Sequence, residues 1–90
     1  MGIEKVLLKS EEKMGRGSVA AFLRNLADKV ESGQVVLKQG QEEISLSLPQ
    51  DLVLEIKVEE ETKGKGIKMC LEVEMEWYEG QEGGGRIELA

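Results

Sequence analysis

The stretch LEVEMEW, residues 71–77, alternates an apolar side chain with a glutamate three times and ends on the chain's only tryptophan. Successive side chains of a strand point to opposite faces, so this period of two predicts a strand with one apolar and one acidic face. Residues 52–61, LVLEIKVEEE, show the same alternation. The two stretches predict a long antiparallel hairpin whose turn centres on residues 63–64, with Val58 opposite Met69 and the apolar face turned toward the core.

Three shorter stretches also have strand character: residues 3–9, 34–38 and 43–48. A turn at Gly40-Gln41 places the apolar side chains of the second stretch opposite those of the third. A loop over residues 49–51, opened by proline, places Leu48 opposite Leu52 in the same way. Side-chain parity therefore predicts a four-stranded antiparallel meander, and leaves open where the N-terminal strand joins it.

One segment has the period of an amphipathic helix, with these apolar positions three and four apart: Val19, Phe22, Leu23, Leu26, Ala27 and Val30. Ser18 suits the N-cap and Gly33 the position after the last helical residue, which predicts a helix over residues 19–32. The sequence therefore predicts an α+β fold, in which a single helix packs on one face of a mostly antiparallel four- to five-stranded sheet in the order β-α-β-β-β-β. Residues 1–78 form this one domain, and residues 79–90 form a flexible Gly-rich acidic tail.

The chain is acidic, and its charge is unevenly distributed. The net charge is −6 over 90 residues, and residues 41–90 contain five basic and thirteen acidic side chains. Because proteins bind nucleic-acid backbones through Lys and Arg, this balance excludes nonspecific nucleic-acid binding. The single cysteine, Cys70, permits no intrachain disulfide, and no apolar run has the length of a membrane span or a secretory signal. We therefore expect a small soluble cytoplasmic protein that does not bind membranes.

The residues that most often perform nucleophilic catalysis are missing. The chain has no histidine, which excludes Ser/His and Cys/His pairs and removes the commonest metal ligand. Glu72, Glu74 and Glu76 form an acidic row, but residues two apart on a strand lie about 6.5–7 Å apart, too far for neighbours to chelate one ion. We expect a solvated acidic face, no catalysis, no cofactor and no metal site.

The order of the longer stretches resembles a known family. EEKMGRGSVAAFLRNLADKVESG is followed by a hairpin, then by LSLPQDLVLEIKVEEE and by the alternating strand that closes on Trp77. Together they resemble the amphi-Trp domain family, a small prokaryotic module named for an amphipathic strand that ends in tryptophan. The resemblance covers residues 4–78 and implies the fold and a prokaryotic setting, but no reaction. Gly15 and Gly17 depart from the family, which more usually has helix-friendly polar residues there.

The segment KMGRGS, which leads into the helix, is the first candidate site. Backbone N–H groups at a helix N-terminus, together with basic side chains, favour an anion or a phosphate group. The candidate residues are Lys13, Arg16, Gly17 and Ser18. The alternative is an ordinary capped helix start, since the spacing of a P-loop is absent.

The second candidate site is a small apolar patch on the sheet face opposite the helix, formed by Ile3, Leu7, Val36 and Cys70. Trp77 has the parity of the core and lies opposite Gln50 in a turn, so it is either a lid on the open end of the core or an aromatic anchor at an interface. We therefore predict an interaction module that forms a homo-oligomer such as a dimer, or docks to a protein partner. Anion binding at residues 13–18 is the alternative function.

Overall fold

The computed structural model describes residues 2–80, and the chain divides into two compact units, Met1–Leu48 and Pro49–Ala90. The first unit contains α1 (Arg16–Ser32), β1 (Gln34–Gln39) and β2 (Glu42–Ser47). The second unit contains β3 (Val53–Lys63) and β4 (Gly66–Glu76). One helix followed by four antiparallel strands is a small α+β fold, which confirms the predicted fold class.

Helix α1 begins earlier than the sequence predicts. Gly15 is the N-cap, with an extended backbone (φ −66°, ψ 154°), and its carbonyl accepts the first intrahelical hydrogen bond from Val19 N at 3.0 Å. The prediction of Ser18 as the N-cap is wrong, because Ser18 lies inside the first turn. The N–H groups of a first turn need no helical partner, so the glycine at position 17 opposes the helix less there than it would further along.

Helix α1 ends at the residue that the sequence predicts. Gly33 adopts the left-handed conformation (φ 86°), and its N–H donates to Val30 O at 3.0 Å. Ser32 Oγ donates to Lys29 O at 2.6 Å and satisfies a second carbonyl of the last turn. Because glycine has no Cβ to clash in this conformation, the chain turns here and enters β1 directly.

The core of the first unit is small. Leu48 N donates to Gly33 O at 2.9 Å, which ties the end of β2 to the end of the helix. Among the described residues, Val35 and Leu48 are the two buried hydrophobic residues, with 4% and 5% of their surface exposed. β1 and β2 pair in the predicted register, with Leu37 opposite Ile44.

β3 and β4 form the predicted hairpin with the correct parity and a shifted register. Val58 lies opposite Leu71, so the prediction of Met69 as its partner is wrong by two residues. The two loop residues are Gly64 and Lys65, and Gly64 has a left-handed φ of 48°. A two-residue loop that opens on glycine is a favoured hairpin connection, and moving the loop by one residue moves the register by two.

The prediction of one continuous sheet is wrong, because β1–β2 and β3–β4 are separate two-stranded sheets. The predicted meander requires Leu48 to pair with Leu52. No ladder joins β2 to β3, and Pro49, which follows Leu48, has no N–H to contribute to one.

The predicted strand at residues 3–9 is also wrong. These residues have no regular secondary structure, and Ile3 is 98% exposed. A hydrogen bond from Gln39 Nε2 to Lys9 O, 3.0 Å long, holds the end of the segment beside β1. A side-chain contact of this kind fixes the position of the chain without building a ladder. Of the predicted tail, residues 81–90 lie outside the described part of the chain.

Candidate functional site

One face of the β3–β4 hairpin consists almost entirely of apolar side chains. Directly opposed residues share a face, so the register assigns each side chain to one side of the hairpin. We define the apolar hairpin face as these seven residues: Leu54, Ile56, Val58, Ile67, Met69, Leu71 and Val73. Each of them has between 56% and 69% of its surface exposed. Met75, which is half-buried, lies on the same face opposite Leu54, and Glu60 and Thr62 lie on it toward the loop.

The exposure of this face is what reasoning from the sequence missed. Alternation identifies which side chains share a face, but it gives no signal that distinguishes a face buried in the chain's own core from one that a partner covers. All seven side chains are more than half exposed, and contiguous exposed apolar surface on a soluble protein often marks a binding site.

The other face of the hairpin is charged and exposed, as predicted. We define the acidic hairpin face as these residues: Glu55, Lys57, Glu59, Glu61, Lys63, Lys68, Cys70, Glu72, Glu74 and Glu76. Glu55 lies directly opposite Glu74. The pKa of Glu74 is raised, first by a side-chain hydrogen bond with Glu55 and next by the charge of Glu76. The ladder therefore holds like charges together at this position.

Lys57 offsets part of this acidic charge. It lies directly opposite Glu72, and its Nζ is 3.4 Å from Glu72 Oε2 and 3.8 Å from Glu59 Oε1. The charges of Glu59 and then Glu72 raise the pKa of Lys57, and a hydrogen bond to Glu72 adds to the effect. All of these groups are exposed, so water and salt screen the pairs, and the face remains a hydrated surface.

Trp77 follows β4 directly and is half-buried. The last ladder pair is Val53–Glu76, so the register continued by one residue places Trp77 across from Leu52, and the predicted position opposite Gln50 is wrong. Trp77 and Leu52 share the parity of the apolar hairpin face and extend it beyond the ends of the strands. The roles of lid and anchor both stay predictions.

The predicted anion site lies at the start of α1. Arg16, Gly17 and Ser18 form the first turn, and Lys13 lies in the irregular segment before it. Gly15 makes no side-chain cap, and the first turn contains no acidic residue, so the helix N-terminus has no negative group of its own. Nothing in the described residues tests anion binding there, and the site stays a prediction.

The residues that were predicted to form an apolar patch are exposed. Ile3, Leu7 and Val36 are 98%, 56% and 45% exposed, and Val36 alternates with the buried Val35, as the parity of β1 predicts. Ile3, Leu7 and Val36 belong to the first unit, and Cys70 and Trp77 to the second. An interface at these residues stays a prediction.

The N-terminal segment also forms a groove that the sequence did not predict, because its residues were assigned to a strand. The groove has a volume of 540 Å³ and is lined by Leu8, Lys9, Ser10, Glu12, Met14, Val19, Phe22 and Leu37. Its walls come from the N-terminal segment, α1 and β1. The apolar helix positions Val19 and Phe22 line this groove together with Leu37 of β1.

Within residues 2–80, no group of three or more His, Cys, Asp or Glu side chains is arranged to hold a metal ion. In the same part of the chain, α1 lacks the length and the apolar content that a transmembrane helix needs.

The family comparison covers the whole chain. The model of the amphi-Trp domain matches residues 1–90, so the chain belongs to the amphi-Trp domain family. This match confirms the resemblance that the sequence shows and extends it over the whole chain. No curated protein and no solved structure is significantly similar to the chain.

Proposed function

We propose that this chain is a small protein-interaction module, without catalysis of its own, that docks to another protein chain through the apolar hairpin face. The observation that supports the proposal is the exposure of all seven residues of that face, each by more than half of its surface. Removing this surface from water is favourable in proportion to its area, and a protein partner is what can cover a flat apolar strand surface.

The architecture of the hairpin supports the same proposal. An isolated two-stranded hairpin is marginally stable at best in water and gains stability when one face packs against another element. β3 and β4 have 11 residues each and pair along their whole length. Since the ladder is long and its apolar face is open, docking would stabilise the hairpin as well as the complex.

The charge of the hairpin limits the chemistry of the partner. The acidic hairpin face repels nucleic-acid backbones and anionic membrane surfaces, which leaves a protein as the proposed partner. Cys70 is an exposed free thiol on that face. Exposed free thiols persist in reducing compartments, so we place the module in the cytoplasm.

A photo-reactive side chain placed at single positions of the full-length chain tests the proposal in cells. We expect a benzophenone amino acid at Leu71, on the apolar hairpin face, to form a covalent adduct with a protein on irradiation. The same group at Glu72 is the matched control, because Glu72 is the next residue of β4 and points to the opposite face. The proposal is overturned if Leu71 gives no protein adduct, or gives the same adducts as Glu72.

A further inference from the structure

We draw no further inference here: the strongest candidate, the groove that the N-terminal segment, α1 and β1 line within the first unit, combines apolar walls with one lysine and one glutamate, and nothing in the structure shows what fills it.

Discussion

Glu55 and Glu74 face each other across the β3–β4 ladder as directly opposed residues. Like charges at such positions destabilise a strand pair. The pKa of Glu74 is raised from its ordinary value of 4.5, first by the hydrogen bond with Glu55 and then by the charge of Glu76. The hairpin therefore carries a repulsive pair on its exposed face, and this pair makes its stability depend on pH.

We expect Glu74→Gln to raise the free energy of unfolding at neutral pH, because it removes one of the two opposed charges. A raised pKa means that the folded chain binds this proton more tightly than the unfolded chain does. The contribution of Glu74 to stability therefore falls as the pH rises from 4.5 through the folded-state pKa. Urea unfolding followed by circular dichroism should show that Glu74→Gln is more stable than the wild type at pH values above the folded-state pKa of Glu74. The difference in stability should disappear at pH values below 4.5.

The control for this prediction is Glu31→Gln, an exposed position on α1 outside the hairpin. We expect it to lack the pH-dependent advantage of Glu74→Gln. A Glu74→Gln chain that is no more stable than the wild type at pH near 7, or whose advantage is the same at every pH, would contradict the role of the Glu55–Glu74 pair.

The two glycines near the ends of α1 should respond to alanine in opposite directions. Gly17 lies in the first turn, and the space that an alanine methyl group would occupy there is open, so Gly17→Ala should stabilise the chain by about 0.5 kcal/mol. Gly33 has a φ of 86°, so Gly33→Ala should destabilise it by about 1 kcal/mol. Urea unfolding of both variants measures the change in the free energy of unfolding. Changes in the same direction would contradict the assigned helix ends.

The Gly17→Ala chain also helps to test the predicted anion site. Backbone N–H groups near Arg16 and Ser18 would hold the anion, so titration with inorganic phosphate should shift these amide resonances in the wild type. A methyl group added at position 17 narrows the approach to that backbone and should weaken the shift. Amide resonances of residues 16–18 that do not move at millimolar phosphate would end the prediction of an anion site.

Leu48 should contribute far more to stability than its position after a short strand suggests. It is buried, with 5% of its surface exposed, and its N–H is bonded to Gly33 O. Leu48→Ala should lower the free energy of unfolding by about 3 kcal/mol, because it leaves a cavity in a small core. Val36→Ala, at an exposed strand position, should cost less than about 1 kcal/mol. Similar losses in the two variants would show that the first unit has no core at Leu48.

The local elements of the fold were predictable because short-range chemistry determines them. The glycine turn between β1 and β2 and the parity of their side chains admit one register, and Leu37 opposite Ile44 is confirmed. In the longer hairpin, parity limits the register only to steps of two residues, and the position of Gly64 within the loop decided among them. The separation into two sheets was not predictable, because side-chain parity shows which residues could oppose each other and not whether β2 and β3 pair at all.

The candidate site was predictable in composition and not in exposure. Val58 and Leu71 were correctly assigned to one apolar face, and Glu72 to the opposite one, because a strand imposes that alternation. What covers an apolar face depends on the rest of the structure or on another chain. From the sequence of the chain alone, a face of this kind is therefore predicted only as part of a core.

Trp77 should contribute less to stability than a fully buried tryptophan. Its ring is half-buried just beyond β4, on the side of the apolar hairpin face. Trp77→Ala should lower the free energy of unfolding by about 2 kcal/mol, below the roughly 3–5 kcal/mol that loss of a fully buried ring costs. Trp77→Phe keeps an aromatic ring and is the matched control. Unfolding of both variants is followed by circular dichroism. Tryptophan fluorescence does not serve here, because Trp77 is the only tryptophan and both substitutions remove it.

Whether Trp77 is a lid or an anchor is tested by comparing how self-association depends on concentration in the wild type and in these variants. If Trp77 is a lid, Trp77→Ala lowers the stability of the chain and leaves the dissociation constant of the predicted dimer unchanged. If Trp77 is an anchor that continues the apolar hairpin face, Trp77→Ala weakens that dimer, and the emission of the wild-type Trp77 changes on dilution. We expect the second result, because Trp77 and Leu52 extend the parity of that face beyond the strand ends. A dissociation constant that is the same in wild type, Trp77→Ala and Trp77→Phe would assign Trp77 to the lid.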